Sequence, residues 1–219
     1  FFMVRVAAVK RQIQSGDFSQ CPSGITPSAL LDRIIARTRT LTERKYRCLH
    51  DEVLPGLARA GLVLRRPDEL TSAQSSFLGK LFQDEIFPVL TPIRATVGQQ
   101  VPYVTNLKLH AAFTVEPQED VSLVSDEEET AGEFLAIVQI PTSLDRIIFL
   151  PDDAGTMSYA LLEDVIVQHA AALFPGYRVT DHCLFRVTRD ADMGVDEERD
   201  EDFVEAMEQV LVHREFSEP

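Results

Sequence analysis

The chain has 219 residues, which is enough for one or two domains of ordinary size. A composition of 45% hydrophobic and 26% charged residues is typical of a soluble globular protein and excludes disorder over most of the length. The formal net charge of −14 argues against bulk attraction to nucleic acid or anionic membranes, so the chain as a whole should repel polyanions.

Cysteine usage and hydropathy favour a reducing, cytoplasmic location. The three cysteines are widely spaced and form no CxxC pair, so neither a disulfide framework nor a zinc site is expected. Cys48 and Cys183 fall in apolar patterns, which predicts that both are core residues. No apolar run approaches the ~18 residues of a membrane span, and no signal peptide is visible. The chain opens at Phe1 in a helical segment without an N-cap, which suggests a piece of a longer protein.

The first third of the chain predicts helices. After an opening helix and a turn-rich loop at residues 15–24, Thr26 as N-cap and Pro27 in the first turn begin a long amphipathic helix. Pro55 should kink or interrupt this helix, and Gly61 should end it. One buried stripe is expected from its apolar residues, which are Leu30, Leu31, Ile34, Ile35, Thr38, Leu41, Cys48, Leu49, Val53 and Leu57.

A domain boundary is predicted near residue 67, where charged residues and Pro67 follow a short apolar segment. It divides a helical domain, residues 1–67, from a second domain, residues 68–219. The second domain begins with a helix that has the capping-box spacing of Thr71 and Gln74 and is stopped by Pro88.

The hydrophobic period then changes to 2. Strands are predicted at residues 107–115, 134–140, 147–150 and 178–188, and helices from about Ser158 and over residues 201–214. The fold class is therefore α+β: an N-terminal antiparallel helical bundle followed by a mixed α+β domain of order β-β-β-α-β-α.

Nucleotide-binding and metal-binding motifs are absent or weak. Gly79-Lys80 lacks the earlier glycine and the following Ser/Thr of a P-loop, and no GxGxxG occurs. The acidic loop that begins at Asp190 resembles an EF-hand, with Asp192 and Glu201 as further ligands, but its glycine stands one position early at Gly194. Its carboxylates are better explained as the charged start of a helix. His169 is predicted to be a satisfied residue on an apolar helix face, and none of the five histidines pairs with a nucleophile.

Charge is divided unevenly along the chain. Residues 1–66 hold twelve basic and five acidic residues, a net charge of +7, whereas the remainder carries −21. The basic cluster is either a solvated helical face or a phosphate-facing surface, and both interpretations stay open. Residues 116–133 hold eight acidic residues and no basic one, which indicates a solvated loop between strands rather than a polyanion mimic.

Four stretches in order give a family resemblance. They are Phe1-Phe2-Met3-Val4-Arg5-Val6-Ala7; Val101-Pro102-Tyr103-Val104-Thr105-Asn106-Leu107; Leu162-Glu163-Asp164-Val165-Ile166 with Leu173-Phe174-Pro175-Gly176; and Phe185-Arg186-Val187-Thr188-Arg189-Asp190-Ala191-Asp192. Together they resemble the N-terminal helical domain and head domain of bacterial polyphosphate kinase.

The resemblance implies a parent enzyme that reversibly transfers the terminal phosphate of ATP to inorganic polyphosphate through a phosphohistidine, with Mg²⁺. The catalytic residues of that family lie in later domains, so no catalytic or metal-binding residue is expected here and the chain alone should be inactive. ATP and Mg²⁺ belong to the full-length parent, and neither should bind this chain tightly.

The resemblance also implies roles for these two domains. The helical domain borders the nucleotide site, with Arg5 as the candidate on the nucleotide side. The head domain supports a homodimer or higher oligomer and the mouth of the polyphosphate tunnel, with Arg186 and Arg189 as candidates. A structural role has at least equal weight for these two, since Arg189 could pair with Asp190, Asp192 or another nearby carboxylate. No nucleic-acid partner is expected, and a cytoplasmic location follows, with membrane association of the full-length complex as an alternative. The competing hypothesis is a stand-alone acidic interaction or dimerisation module that binds no nucleotide.

Overall fold

The computed structural model describes residues 1–16, 24–95, 104–118, 134–151 and 155–189. These residues belong to two compact units. Of these described residues, the first unit contains those within Phe1–Asp51 and Thr105–Leu107 together with residues 187–189, and the second contains those within Glu52–Val104 and Lys108–Arg186. The predicted loop at residues 119–133, the predicted helix at 201–214 and the EF-hand-like residues Asp190, Asp192 and Glu201 lie outside the described residues.

Helices dominate the first unit. A π-helical segment, Phe2–Val6, leads into α1, Ala7–Gln14, and α2 spans Pro27–Cys48. Thr26 caps α2 as predicted, because its Oγ1 accepts a hydrogen bond of 3.4 Å from the Ala29 N–H. Helix α1 packs on α2.

The predicted buried stripe of α2 is wrong for most of its length. Ile35 and Leu41 are 41% and 49% exposed, and within α2 only Pro27 is fully buried. Helix α1 has eight residues and covers about 12 Å, whereas the 22 residues of α2 extend over about 33 Å. The packing partner is therefore too short to bury the whole apolar face.

The long helix changes its hydrogen-bonding pattern before Pro55. Leu49–Val53 form a π-helical segment, and α3, Leu54–Arg59, continues from it. Proline lacks an N–H and clashes with the preceding helical turn, which accounts for the predicted interruption. Gly61 has φ +88° and ends the helix as expected.

Two sheets form the framework of the second unit. A three-stranded sheet has the order β1-β6-β5, in which β1, Leu62–Leu64, runs parallel to β6, Met157–Leu161, and β5, Ile147–Phe149, is antiparallel to β6. An antiparallel sheet has the order β2-β4-β3-β7 in the described part of the chain. Its strands are β2, Ile93–Ala95; β3, Leu109–Pro117; β4, Phe134–Gln139; and β7, Tyr177–Arg186.

Two helices accompany these sheets. Helix α4, Ser72–Leu81, continues through a π-helical segment, Phe82–Ile86, and a 3₁₀ turn, Phe87–Val89. Helix α5, Leu162–Gln168, is followed by a 3₁₀ turn, Ala170–Leu173. One apolar core joins both helices to both sheets; its largest fully buried side chains include Leu78, Phe82, Ile86, Phe113, Val115, Val138, Leu162, Val165 and Ile166.

The α+β class is confirmed, with three short strands that the sequence did not reveal. Strands β1, β2 and β6 were not predicted, and residues 157–161 form β6 rather than the start of a helix. Strand β6 lies between β1 and β5, so its pairing on both edges outweighs the local helical pattern. The helix begins at Leu162 instead.

Cys48 and Cys183 are both exposed, which corrects the prediction that they are core residues. Cys48 ends α2 beyond the reach of α1, and Cys183 lies on β7, which is an edge strand of its sheet in the described residues. An apolar sequence pattern does not bury a residue when no neighbouring element covers it.

Candidate phosphate-binding surface

Arg5 lies on the exposed π-helical segment at the beginning of the chain. Its backbone N–H donates to the Phe1 carbonyl over 2.8 Å, and its side chain is solvent-exposed. Phe1 and Phe2 beside it are 73% and 46% exposed, and their rings meet edge to face at 5.4 Å. An exposed cation next to exposed aromatic rings is chemically suited to a phosphorylated ligand with an aromatic base.

Arg186 and Arg189 occupy different environments although three residues separate them. Arg186 is exposed at the end of β7, in register with Leu109 of β3. Arg189 is 8% exposed, and its backbone N–H donates to Asn106 Oδ1 over 3.0 Å. Arg186 is therefore accessible to an anion, whereas Arg189 is largely enclosed by protein.

The segment around Asn106 has an unusual backbone. Leu107 has φ 62°, a left-handed conformation that is uncommon for a residue with a branched side chain. Its N–H donates to the Val187 carbonyl over 2.9 Å, beside the bond from Arg189 to Asn106. These two bonds hold residues 105–107 against residues 187–189 within the first unit. Arg189 thus contributes to fixing this junction.

Helix α2 carries six basic residues, and all six are exposed. Their guanidinium and ammonium groups offer positive charge at a surface and not in a buried pocket. The exposed basic residues of this helix are Arg33, Arg37, Arg39, Arg44, Lys45 and Arg47.

A second charged cluster, which the sequence did not reveal, lies at the start of α5. Arg146 Nε donates to Glu163 Oε1 and Oε2 over 2.9 and 3.1 Å, and the Arg146 Nη2 also bonds Glu163. Burial raises the pKa of Asp164 above its usual range and the Glu163 carboxylate adds to this effect, whereas Arg146 and Arg66 oppose it. Glu163 pairs with Arg146, so this contact is suited to joining the segment before β5 to α5 rather than to binding a phosphate.

An apolar groove of about 420 Å³ lies in the second unit between α4 and the segment that contains β5. Phe77 and Ile148 contribute apolar walls, and Glu85 and Asp145 contribute carboxylates. Two cationic candidates, Arg5 and Arg186, are absent from its lining. An acidic, apolar groove does not attract a phosphate chain.

Histidine and metal chemistry has little support in the described residues. His169 Nδ1 lies 3.0 Å from the Val165 carbonyl, and its ring stacks on Phe82 at 4.8 Å, as predicted for a satisfied residue. Over the described ranges, no group of three or more His, Cys, Asp or Glu side chains is arranged to hold a metal ion. The same part of the chain has no helix with the length and apolar character of a membrane span.

The acidic segment that begins at Glu116 needs one correction. Glu116 belongs to β3 rather than to a loop, and its Oε2 accepts a hydrogen bond of 2.7 Å from Arg178 on β7. Glu116 and Arg178 are directly opposite each other on β3 and β7, so their side chains lie on the same face of the sheet and their opposite charges attract.

Comparisons with known proteins cover the whole chain. A family model described as the polyphosphate kinase N-terminal domain matches residues 1–65, and one described as the polyphosphate kinase middle domain matches residues 73–219. Polyphosphate kinases from Mycolicibacterium gilvum and Streptomyces coelicolor are 34% and 36% identical to it over the full chain.

A solved structure is similar as well. The crystal structure of polyphosphate kinase from Porphyromonas gingivalis has a TM-score of 0.70 at 27% identity and covers 90% of this chain. The chain corresponds to 29% and 28% of the two curated relatives and to 27% of the crystallised protein. It therefore spans less than a third of the length of these proteins.

Proposed function

Because the chain belongs to the polyphosphate kinase family, we propose that it is the N-terminal helical domain and head domain of an enzyme that transfers the terminal phosphate of ATP reversibly to inorganic polyphosphate. The observation that carries this proposal is the consecutive match of the two domain models along the chain. We assign residues 1–67 to the helical domain and residues 68–219 to the head domain.

The phosphoryl transfer itself belongs to later domains of the parent. A phosphohistidine mechanism needs an accessible imidazole beside groups that stabilise the transferred phosphate. His169 does not meet this requirement, since it is stacked and hydrogen-bonded, and His110 is 3% exposed. We assign Mg²⁺ to the later domains, because the described residues offer no cluster of ligands for it. The parent acts in the cytoplasm, where ATP is abundant.

The helical domain supplies the border of the nucleotide site through Arg5. Support comes from its exposure and from the exposed rings of Phe1 and Phe2 beside it. In the full-length protein, Arg5→Gln should raise the KM for ATP several-fold with a smaller effect on kcat, since the contact would serve binding before and during transfer. Arg11→Gln, on the following helix, is the matched control; an unchanged KM for Arg5→Gln would contradict the assignment.

The head domain supports assembly and the approach of the polyphosphate chain. Exposed Arg186 is the candidate for phosphate contact, and enclosed Arg189 is the candidate that positions the junction. Sedimentation of the 219-residue chain should show a concentration-dependent homodimer through the head domain. A monomer at all concentrations would show that assembly depends on later domains.

The proposed function is tested with the full-length protein, ATP, Mg²⁺ and a short polyphosphate primer. Chromatography of the products should show primer extension with ADP release in one direction, and ATP formation from ADP and polyphosphate in the other. The 219-residue chain should give neither product under the same conditions. Absence of both reactions in a folded full-length protein would overturn the proposal and favour an interaction module.

A further inference from the structure

Four of the exposed arginines on α2 form one line along the helix. Arg33, Arg37, Arg44 and Arg47 are separated by four, seven and three residues, with Thr40 between the second and third. At 3.6 residues per turn, each of the five side chains lies within about 40° of their common mean direction around the helix axis. The line is about 21 Å long. We call these five residues the arginine stripe.

The stripe lies away from the packed face of its helix. The half-buried residues of α2, such as Ile34 and Thr38, are centred about 120° around the helix from the stripe. All five stripe residues are exposed. The Thr40 hydroxyl donates to the Ala36 carbonyl over 3.1 Å. This side chain is short and is held against the helix backbone, so it does not separate the two pairs of arginines.

The stripe has no anionic partner within the chain. In the part of the chain that the structure describes, none of its four arginine side chains forms a hydrogen bond or ion pair. Like charges three and four residues apart repel each other on a helix, so the arrangement destabilises the free helix. The nearby carboxylates lie on its flank, at Asp32 and Glu43, and beyond its end, at Asp51. A linear anion along the stripe would relieve the repulsion of all four guanidinium groups.

We propose that the arginine stripe binds inorganic polyphosphate along the outside of α2. The ligand must be long, because the charges extend over about 21 Å, and anionic along its whole length. Guanidinium groups bind phosphate oxygens through paired N–H donors, which suits a chain of phosphates. The proposal rests on the proposed function for its choice of ligand.

Polyphosphate fits the stripe better than a nucleic acid does. Single-stranded nucleic acids bind through aromatic side chains that stack on bases as well as through positive charge. The stripe has no aromatic residue, since the nearest one along this helix, Tyr46, lies about 140° away from it.

The experiment measures binding of fluorescently labelled inorganic polyphosphate to the 219-residue chain at several salt concentrations. For the wild type, four contacts predict a slope of log affinity against log salt of about −3, from about −0.7 per neutralised phosphate on a single-stranded polyanion. The double variant R37Q/R44Q should bind about tenfold more weakly or worse, with about half that slope.

A matched control removes two charges from other faces of the same helix. Arg39 and Lys45 lie about 120° from the stripe on either side, so R39Q/K45Q has the same net charge as the stripe variant. The affinity of this control variant for polyphosphate should stay within about twofold of the wild-type affinity, because the two removed charges act on the ligand only through weak long-range attraction. R37K/R44K, which keeps both charges, should recover most of the salt slope, and circular dichroism checks that every variant keeps its helix content.

Three results would overturn the proposal: equal weakening by both glutamine double variants, absence of polyphosphate binding by the wild type, or equally tight binding of a labelled single-stranded DNA of matched length. The proposed function and the polyphosphate-binding role of the stripe can be refuted independently of each other. Polyphosphate synthesis by the full-length protein tests the function, whereas dependence of binding on one helix face tests the stripe.

Discussion

The exposed guanidinium of Arg146 donates hydrogen bonds to both carboxylate oxygens of the buried Glu163. The two side chains are 59% and 3% exposed. The Arg146 carbonyl also accepts from the Leu162 N–H over 2.8 Å, so side chain and backbone both connect the segment before β5 to the start of α5. This pair secures the helix whose inner face completes the core of the second unit.

Removing the arginine of this pair should destabilise the protein more than removing an exposed ion pair. Arg146→Ala leaves the Glu163 carboxylate buried without its cation, which should lower the free energy of unfolding by about 1–3 kcal/mol. Arg178→Ala breaks a pair of exposed side chains with Glu116, and it should cost less than about 1 kcal/mol. Urea unfolding measures both, and equal losses would contradict the role given to Glu163.

Asp164 should limit stability at neutral pH. Its pKa is raised above 3.8, chiefly by burial, so the folded state resists the ionisation that the unfolded chain undergoes freely. Stability is therefore lost as the pH rises from about 3.8 through the raised pKa. Asp164→Asn should unfold at a higher urea concentration than the wild type at about pH 7 and at the same concentration at about pH 3. A less stable Asn variant at neutral pH would contradict this explanation.

His110 should make the fold sensitive to mild acid. Its ring is buried against Phe185 at 5.4 Å, and burial lowers its pKa below 6.5, although the hydrogen bond to the Lys108 carbonyl opposes this. The unfolded chain therefore takes up a proton first, and stability falls as the pH drops below about 6.5. The wild type should lose stability between about pH 7.5 and about pH 5.5, whereas His110→Phe should lose less.

The control for this prediction is His182→Gln, which removes an exposed ring from the neighbouring strand. It should keep the acid sensitivity of the wild type. Parallel pH profiles for wild type and His110→Phe would show that other groups cause the loss.

Gln74 should be important for the attachment of α4. Its Oε1 accepts from the Thr71 N–H over 3.2 Å, and its Nε2 donates to Ser158 Oγ over 3.1 Å, while the residue is 1% exposed. Gln74→Leu keeps a similar volume but leaves the Ser158 hydroxyl and the cap unsatisfied, which should cost about 1–3 kcal/mol. Thermal unfolding measures the loss, and Ser76→Ala, on the exposed side of α4, should change stability by less than about 0.5 kcal/mol.

Local signals in the sequence predicted the elements that depend on neighbouring residues. The cap at Thr26, the reciprocal bonds of Thr71 and Gln74, and the left-handed Gly61 follow from residue types at fixed spacing. The period-2 pattern also predicted β3, although His110 and Ala112, which alternate with the apolar Ala111 and Phe113, are buried as well.

Elements that depend on pairing between distant parts of the chain were missed, because they leave no local signal in the sequence. Strand β1 pairs with β6 in parallel, which brings Leu62 next to Met157 across 95 residues, and three-residue strands carry no periodic signal of their own. The contact of Arg146 with Glu163 likewise depends on the fold. The arginine stripe is different, since its spacing was present in the sequence and only its exposure required the structure.

The most direct test of the central claim is a labelling experiment with γ-³²P ATP and Mg²⁺ on the full-length protein and on the 219-residue chain. Phosphohistidine is acid-labile and stable to alkali, so the label identifies the intermediate. We expect such a label on the full-length protein and none on the chain, since we assign the transferring histidine to the later domains. Stable incorporation into the 219-residue chain, or no incorporation into a folded full-length protein, would contradict the account.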